Sequence, residues 1–427
     1  MPEKLGLREV VAMGIGGLVS GGIFATLGVA MTTSGNAVPL SFILAGIITL
    51  LSSYSYIKLT LHFKEQGGSF SFIEHIVENN HIAGFFGWIL IVGYIGTMAL
   101  YAFAFGGYLI SLFGLHDPVY RAIASVALIF ALAGINLLGI RESGITEDIL
   151  VYIKAAFLLF IAFAGIFFFT GNYPTGAQFF NMGVISPITA FAIIFVAYEG
   201  YQLLTYDYRD IKNVEKNLGG GIYISVISAM IIYVSVSFMA TLYLTPQAAT
   251  TSQEYALAQA VTPFLGFIGF FLVVITALQS TASGINATLF GSARLAHKVS
   301  HDKELPKLFS FKNKKNIPTY AIIVMAVFTS ILTALGTLEQ ITEFASLVFI
   351  IADAAANYSN VRLYKKTDSN VFISLAGLIG CIIAFPIVIY FLFTTKFFIL
   401  LSIIGIFAIM FIIEFFYIER EPIEEKL

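Results

Sequence analysis

Two runs in this chain hold residues that could do chemistry inside a membrane. They are Gly14-Ile15-Gly16-Gly17-Leu18-Val19-Ser20-Gly21-Gly22-Ile23-Phe24 and Phe195-Val196-Ala197-Tyr198-Glu199-Gly200-Tyr201-Gln202. Each lies mid-way along an apolar stretch long enough to cross a bilayer. Glycine weakens a helix and exposes its backbone, and an unpaired backbone group in hydrocarbon costs several kcal/mol. A helix broken at bilayer depth therefore survives only where protein encloses it. Two breaks in corresponding positions of two halves point to a binding site at the membrane midplane.

Unwinding the first run at Leu18 to Gly22 would free N–H groups at the start of the outer half-helix and carbonyls at the end of the inner one. The N–H end suits a carboxylate, through its orphan donors and positive dipole. The carbonyl end suits an ammonium or another cation. Small residues also serve close helix packing, but five glycines between Gly14 and Gly22 exceed what one packing seam needs. The second run adds Glu199 between Tyr198 and Gly200, and an ionisable side chain near mid-membrane is a functional residue by default. Pairing with a substrate amine, carrying a proton and capping the inner half-helix are all open to it. So is a structural role as a carboxyl held neutral by hydrogen bonds.

Lys154 is the other intramembrane charge of note, two turns beyond Glu147 and roughly 10 Å along the helix. Burial makes a lysine's charge costly, so Lys154 is a candidate proton carrier. A cation there could also stand in electrostatically for a bound sodium ion; snorkelling toward the cytoplasm is the plainer alternative. Asp353 precedes the small-residue run Ala354-Ala355-Ala356 and is expected to face protein rather than lipid, whereas Glu414 is expected about a turn from the cytoplasmic end.

The elements that must position these residues follow from composition. The 427-residue chain is 58% hydrophobic and 15% aromatic with 42 Phe, and only 11% of it is charged. Its mean hydropathy is +0.89. That much Phe cannot be hidden in one soluble core, whereas lipid-facing helices account for it directly. The net charge of −2 argues against nucleic-acid binding, and the single Cys381 excludes an intramolecular disulfide or a cysteine metal cluster. Apolar runs predict twelve spanning helices near 7–32, 37–62, 83–113, 118–138, 148–171, 184–207, 217–244, 264–297, 318–336, 340–362, 370–394 and 397–418. The first apolar stretch reads as a spanning helix rather than a signal peptide, and the chain as one membrane domain over 1–427.

Orientation follows from Lys and Arg. With the N-terminus inside, twenty of the 23 basic residues fall on the cytoplasmic side, among them Arg141, Arg209, Lys212, Lys216 and the cluster from Arg294 to Lys315. Arg121 and Lys396 fall outside and Lys154 within a span, so both termini are expected in the cytoplasm. The segment 62–81 suits a short helix lying at the cytoplasmic surface, and 245–262 an external cap. A nucleotide-binding P-loop, a paired-His metal motif and a nucleophile elbow are absent from the sequence, so no catalytic or metal residues are expected.

With these residues laid out, the chain resembles the amino acid–polyamine–organocation permeases, from Leu7 to about Lys366. The resemblance rests on Gly21-Gly22-Ile23-Phe24, on Gly67-Gly68 followed by aromatics, and on Gly87-Trp88. It rests also on the run Phe195 to Tyr201 with Asp210-Ile211-Lys212-Asn213, and on Ser292-Ala293-Arg294 through Leu305-Pro306. It implies an all-α membrane fold of five plus five inverted spans (about 7–171 and 184–362) with helices 1 and 6 broken and two C-terminal helices over 370–418. It also implies alternating access, with an amino acid held between spans one and six in a multi-pass protein of the cell membrane. By the same resemblance, N–H groups of Gly21 and Gly22, beside Ser20, would hold the substrate carboxylate. Carbonyls of Leu18, Val196 and Glu199 would take its amine, with Tyr198 and Gly200 completing that side. Lys154 matches the span-five lysine that occupies the place of sodium in proton-coupled members, with Ser280, Thr281 or Ser283 as neighbours. No cofactor is expected beyond a proton gradient.

This chain departs from the pattern at several positions. Ser20 and Gly21 stand where the family usually has Gly and Ser, Gln202 replaces a frequent acidic residue, Arg209 a Glu and Val214 a Pro. The primary expectation is a proton-coupled amino acid symporter. The alternatives are an amino acid exchanger, a polyamine or other organocation carrier and, from another class, a membrane receptor.

Overall fold

The computed structural model describes residues 4–65, 68–76, 80–115, 117–139, 144–171, 174, 178–301 and 305–417. Among these residues the chain is helical almost throughout and has no strand, only an isolated bridge between Leu5 and Ile211. The first broken span consists of α1 (Leu7–Leu18) and α2 (Gly22–Ser34). Next come α3 (Val38–Phe63), the short α4 (Gly68–Glu74), α5 (Asn80–Ser111), α6 (Pro118–Leu138) and α7 (Gly144–Phe167). The second broken span runs from α8 (Ser186–Ile193) through a 3₁₀ turn (Phe195–Tyr198) to α9 (Leu203–Tyr206). After it come α10 (Val214–Thr241), α11 (Pro246–Thr251), α12 (Ala256–His301), α13 (Thr319–Leu335), α14 (Leu338–Leu363), α15 (Val371–Thr395) and α16 (Phe397–Tyr417).

Local sequence explains the ends. Proline at the first helical positions pre-sets the backbone of α3, α6, α8 and α11. The side chain of Asp117 caps α6, and Thr337 with Gln340 forms a reciprocal capping box at the start of α14. Among the described residues, eight helical stretches are long and apolar enough to cross a membrane by length and composition, and α13 and α16 are shorter apolar helices. Length and hydropathy thus do not by themselves return the expected twelve spans, since α1 to α3 count as one stretch and α8 and α9 are each too short to count.

α5 and α14 are buried for most of their length, while α6, α7 and α15 expose apolar faces, with Phe163 and Phe167 of α7 at 62% and 82% exposure. Such faces match hydrocarbon rather than water. α10 packs on α1, α3 and α7, and α12 on α5.

One connecting segment departs from expectation. The short helix in 62–81 exists as α4, but it does not lie on a surface: Phe70 and Phe72 are buried, and the helix packs against α3, α5, α9 and α14. Its aromatics make it a plug. α12 is interrupted at Gly266, whose φ of 60° and ψ of −156° are not helical, so 256–265 is a separate helical segment and the long helix after it starts close to the expected 264. Before that break come α11 and a turn at Gln253–Tyr255, both packed on α2. The side chains of Glu147 and Glu414, with Gly67 and Arg141, lie outside the described residues.

Candidate binding site at the two helix breaks

α1 stops at Leu18, and Gly21 restarts the chain as the N-terminal cap of α2. The last carbonyls of a helix have no partner within it. Here three in succession are taken by hydroxyls. Ser20 donates back to the Gly17 carbonyl at 2.6 Å, Tyr233 of α10 to that of Leu18 at 2.6 Å, and Ser280 of α12 to that of Val19 at 2.8 Å.

The second break is held in the same way. Ser346 of α14 donates to the Ile193 carbonyl and accepts the Val196 N–H at 3.0 Å. The Tyr233 hydroxyl also lies 3.0 Å from the Ala197 carbonyl, so one side chain faces both breaks. The breaks themselves touch. Gly200 has φ +121°, and a Cβ on it would stand 2.8 Å from the carbonyl carbon of Gly17. Only glycine combines that backbone with that approach. Tyr101 of α5 closes the first break from the other side, with a ring atom 2.0 Å from where a Cβ on Gly21 would be.

This crossing gathers Leu18, Ser20, Gly21 and Gly22 from one break and Val196, Glu199 and Gly200 from the other, all but the half-buried Gly200 deeply buried. Tyr198 does not join them. Its hydroxyl donates to the Phe42 carbonyl of α3 at 2.8 Å, and its ring packs edge-on to Tyr233. Nor is the Leu18 carbonyl open to an amine, since Tyr233 occupies it. Glu199 is 2% exposed, and neither of its carboxyl oxygens has a hydrogen-bond partner among the described residues.

Lys154 is buried at 2% exposure on α7, a helix that packs against α1, α10 and α12. Val151, one turn before it, packs against Gly16 of α1. Of the three hydroxyls expected near Lys154, Ser280 reaches the first break, Thr281 bonds the Ala277 carbonyl of its own helix at 2.7 Å, and Ser283 is half-buried. Asp353 is fully buried and accepts the Tyr201 hydroxyl on both carboxyl oxygens, at 3.1 and 3.2 Å. The described residues hold no group of three or more His, Cys, Asp or Glu placed to bind a metal ion.

Tyr233, Tyr101 and Ser346 are the participants that sequence reasoning missed. A serine in a spanning helix usually bonds its own i−4 carbonyl, so nothing in the sequence separates Ser346, which reaches across to α8, from Thr281, which does not.

The whole crossing sits inside one family match: residues 5–421 fit the family described as amino acid permease. Full-length relatives agree. The chain is 30% identical to an uncharacterized protein of Methanocaldococcus jannaschii, over 97% of this chain and 95% of that one. It is 28% identical to the inner membrane transport protein YbaT of Escherichia coli, over 88% and 87%. Among solved structures, a manganese transporter of Eremococcus coleocola superposes with a TM-score of 0.61 over 96% of this chain and 94% of that one. At 14% identity that likeness speaks for the fold alone, an all-helical fold of the LeuT type.

Proposed function

We propose, on the premise that the chain belongs to the amino acid permease family, that it carries amino acids across the cell membrane by alternating access, driven by a proton gradient. That it is a multi-pass membrane transporter follows from the family and its relatives; substrate and coupling are the proposal. The observation that carries it is the direct contact of the two breaks at Gly17 and Gly200, with successive carbonyls held only by side-chain hydroxyls. An α-ammonium can displace a neutral hydroxyl from a carbonyl, because hydrogen bonds from charged donors are about twice as strong. The N-terminus of α2, at Gly21 and Gly22, then suits the α-carboxylate.

Lys154 is the residue assigned to coupling. Ser280 supports this assignment, since it joins α12 to the first break while α7 packs on both. Protonation of Lys154 would bias α1, α7 and α12 between two arrangements, and such a bias needs different proton affinities in the two states. The Lys and Arg distribution supports a cytoplasmic position for both termini.

The test is uptake of labelled amino acids into proteoliposomes with and without an inward proton gradient. Wild-type protein is expected to accumulate substrate only with the gradient, and Lys154→Ala to retain substrate binding while losing the response to it. Gradient-driven accumulation that survives Lys154→Ala would sink the coupling assignment.

A further inference from the structure

One cluster at the crossing is used by neither the backbone cradle nor Lys154. Glu199 directly precedes the contact between Gly200 and Gly17. Its carboxyl group lies within electrostatic reach of Asp353 on α14 and of Tyr56, Tyr94, Tyr201 and Tyr206. These rings form a connected wall. Tyr56 packs edge-on to Tyr201 with centroids 5.4 Å apart, Tyr201 donates to Asp353, and the Tyr94 and Tyr206 hydroxyls lie 2.9 Å from each other. Tyr94 also packs against Phe349, one turn before Asp353.

Two carboxyl groups therefore share buried, tyrosine-rich surroundings, and neither has an ion-pair partner among the described residues. Both Glu199 oxygens, the Tyr56 hydroxyl and the Gln202 Nε2 are buried without a hydrogen-bond partner. Burying an unpaired carboxylate costs several kcal/mol, and native proteins keep such groups where function uses them. A single cation would answer the acidic and acceptor features, though not the Gln202 donor. It would neutralise the acidic pair, supply donors to the orphaned oxygens and rest against electron-rich ring faces.

We infer that Glu199, Asp353 and the tyrosines around them form a subsite for the cationic end of a basic amino acid, a guanidinium or a primary ammonium group. This rests on the permease reading above. With the α-groups held at the two breaks, a basic side chain directed toward Glu199 would bring its charge into the cluster that includes Asp353. Guanidinium fits best, because its planar fork can serve two carboxylates and stack on a ring at once.

The experiment compares arginine with citrulline, its uncharged analogue of nearly equal shape, using the full-length purified protein. Affinities come from the ligand dependence of thermal unfolding and from competition for uptake in proteoliposomes. Wild-type protein should favour arginine by about tenfold or more, the scale of one charge-assisted hydrogen bond. Asp353→Asn and Glu199→Gln should each bring that ratio toward one. A wild-type ratio near one overturns the subsite, as does a preference for arginine that both variants retain. Should neither variant fold, lysine against norleucine on the wild type decides, since equal affinity there also overturns it. Uptake of neutral amino acids without a preference for charge would refute this inference alone, whereas binding of no amino acid would refute the permease reading beneath it.

Discussion

Tyr233→Phe is the sharpest probe of how the two breaks are held. The substitution removes one oxygen and little volume, and the ring keeps its edge-on packing with Phe42 and Tyr198, at centroid distances of 5.5 and 5.0 Å. It does remove the hydroxyl shared by the Leu18 and Ala197 carbonyls, at 2.6 and 3.0 Å. A hydroxyl has one proton, so the substitution strips one good hydrogen bond and one weaker contact. Leaving a buried acceptor unsatisfied costs about 1–3 kcal/mol. That cost falls on the arrangement described here, with the breaks buried, so the variant should shift the balance toward forms that expose them by roughly 5- to 150-fold. Two measurements follow from this. Unfolding in detergent should occur at a lower temperature. Accessibility of a cysteine placed at Ser20, in a chain with Cys381 replaced, should rise by the same factor when read by the rate of thiol alkylation. An unchanged alkylation rate and an unchanged unfolding temperature together would refute the idea that Tyr233 clamps the breaks.

Two further predictions concern the walls of the site. Gly21→Ala places a methyl group on the Tyr101 ring, at 2.0 Å from its nearest atom, and should lower substrate affinity about tenfold or more; Tyr101→Ala in the same chain should restore much of that loss in a binding assay. Lys396, between α15 and α16, bonds Glu339 at 2.6 Å and Glu343 at 2.7 Å, and the Glu343 side chain is 1% exposed. Lys396→Met strands that buried carboxylate at a cost of about 3–5 kcal/mol, and adding Glu343→Gln should recover most of the lost thermal stability.

The broken helices were legible because glycine does at bilayer depth what no other residue does. The density of Gly14, Gly16, Gly17, Gly21 and Gly22 marked the first break, and Gly200 the second. Glu199 and Lys154 were legible because charge is rare in spanning segments. Other features were hidden by the ambiguity of ordinary residues. Tyr198 and Tyr233 have the same side chain in equally apolar surroundings, yet Tyr198 turns to α3 and Tyr233 to the breaks. Asp353 was expected only to face protein, because its partner Tyr201 lies 152 positions away. Loops misled for a related reason: Phe70 and Phe72 read as the apolar face of a surface helix, but α4 turns them into the bundle.

The hydroxyls at the crossing also bear on how a carrier of this kind avoids binding its substrate too well. Three carbonyls at the end of α1 are each satisfied by Ser20, Tyr233 or Ser280, so the closed form does not pay for orphaned backbone groups. A substrate ammonium must displace at least one hydroxyl, and its gain is the difference between a charged and a neutral hydrogen bond, about 1 kcal/mol, rather than the full value of either. Tyr233 and Ser280 sit on α10 and α12, so displacing either removes one hydrogen bond that ties the end of α1 to that neighbour and leaves the bond to the other in place. Binding would thereby change which neighbour holds the end of α1. That differential contact is what alternating access requires, and it predicts that Ser280→Ala and Tyr233→Phe will alter the distribution between inward-open and outward-open forms in opposite directions.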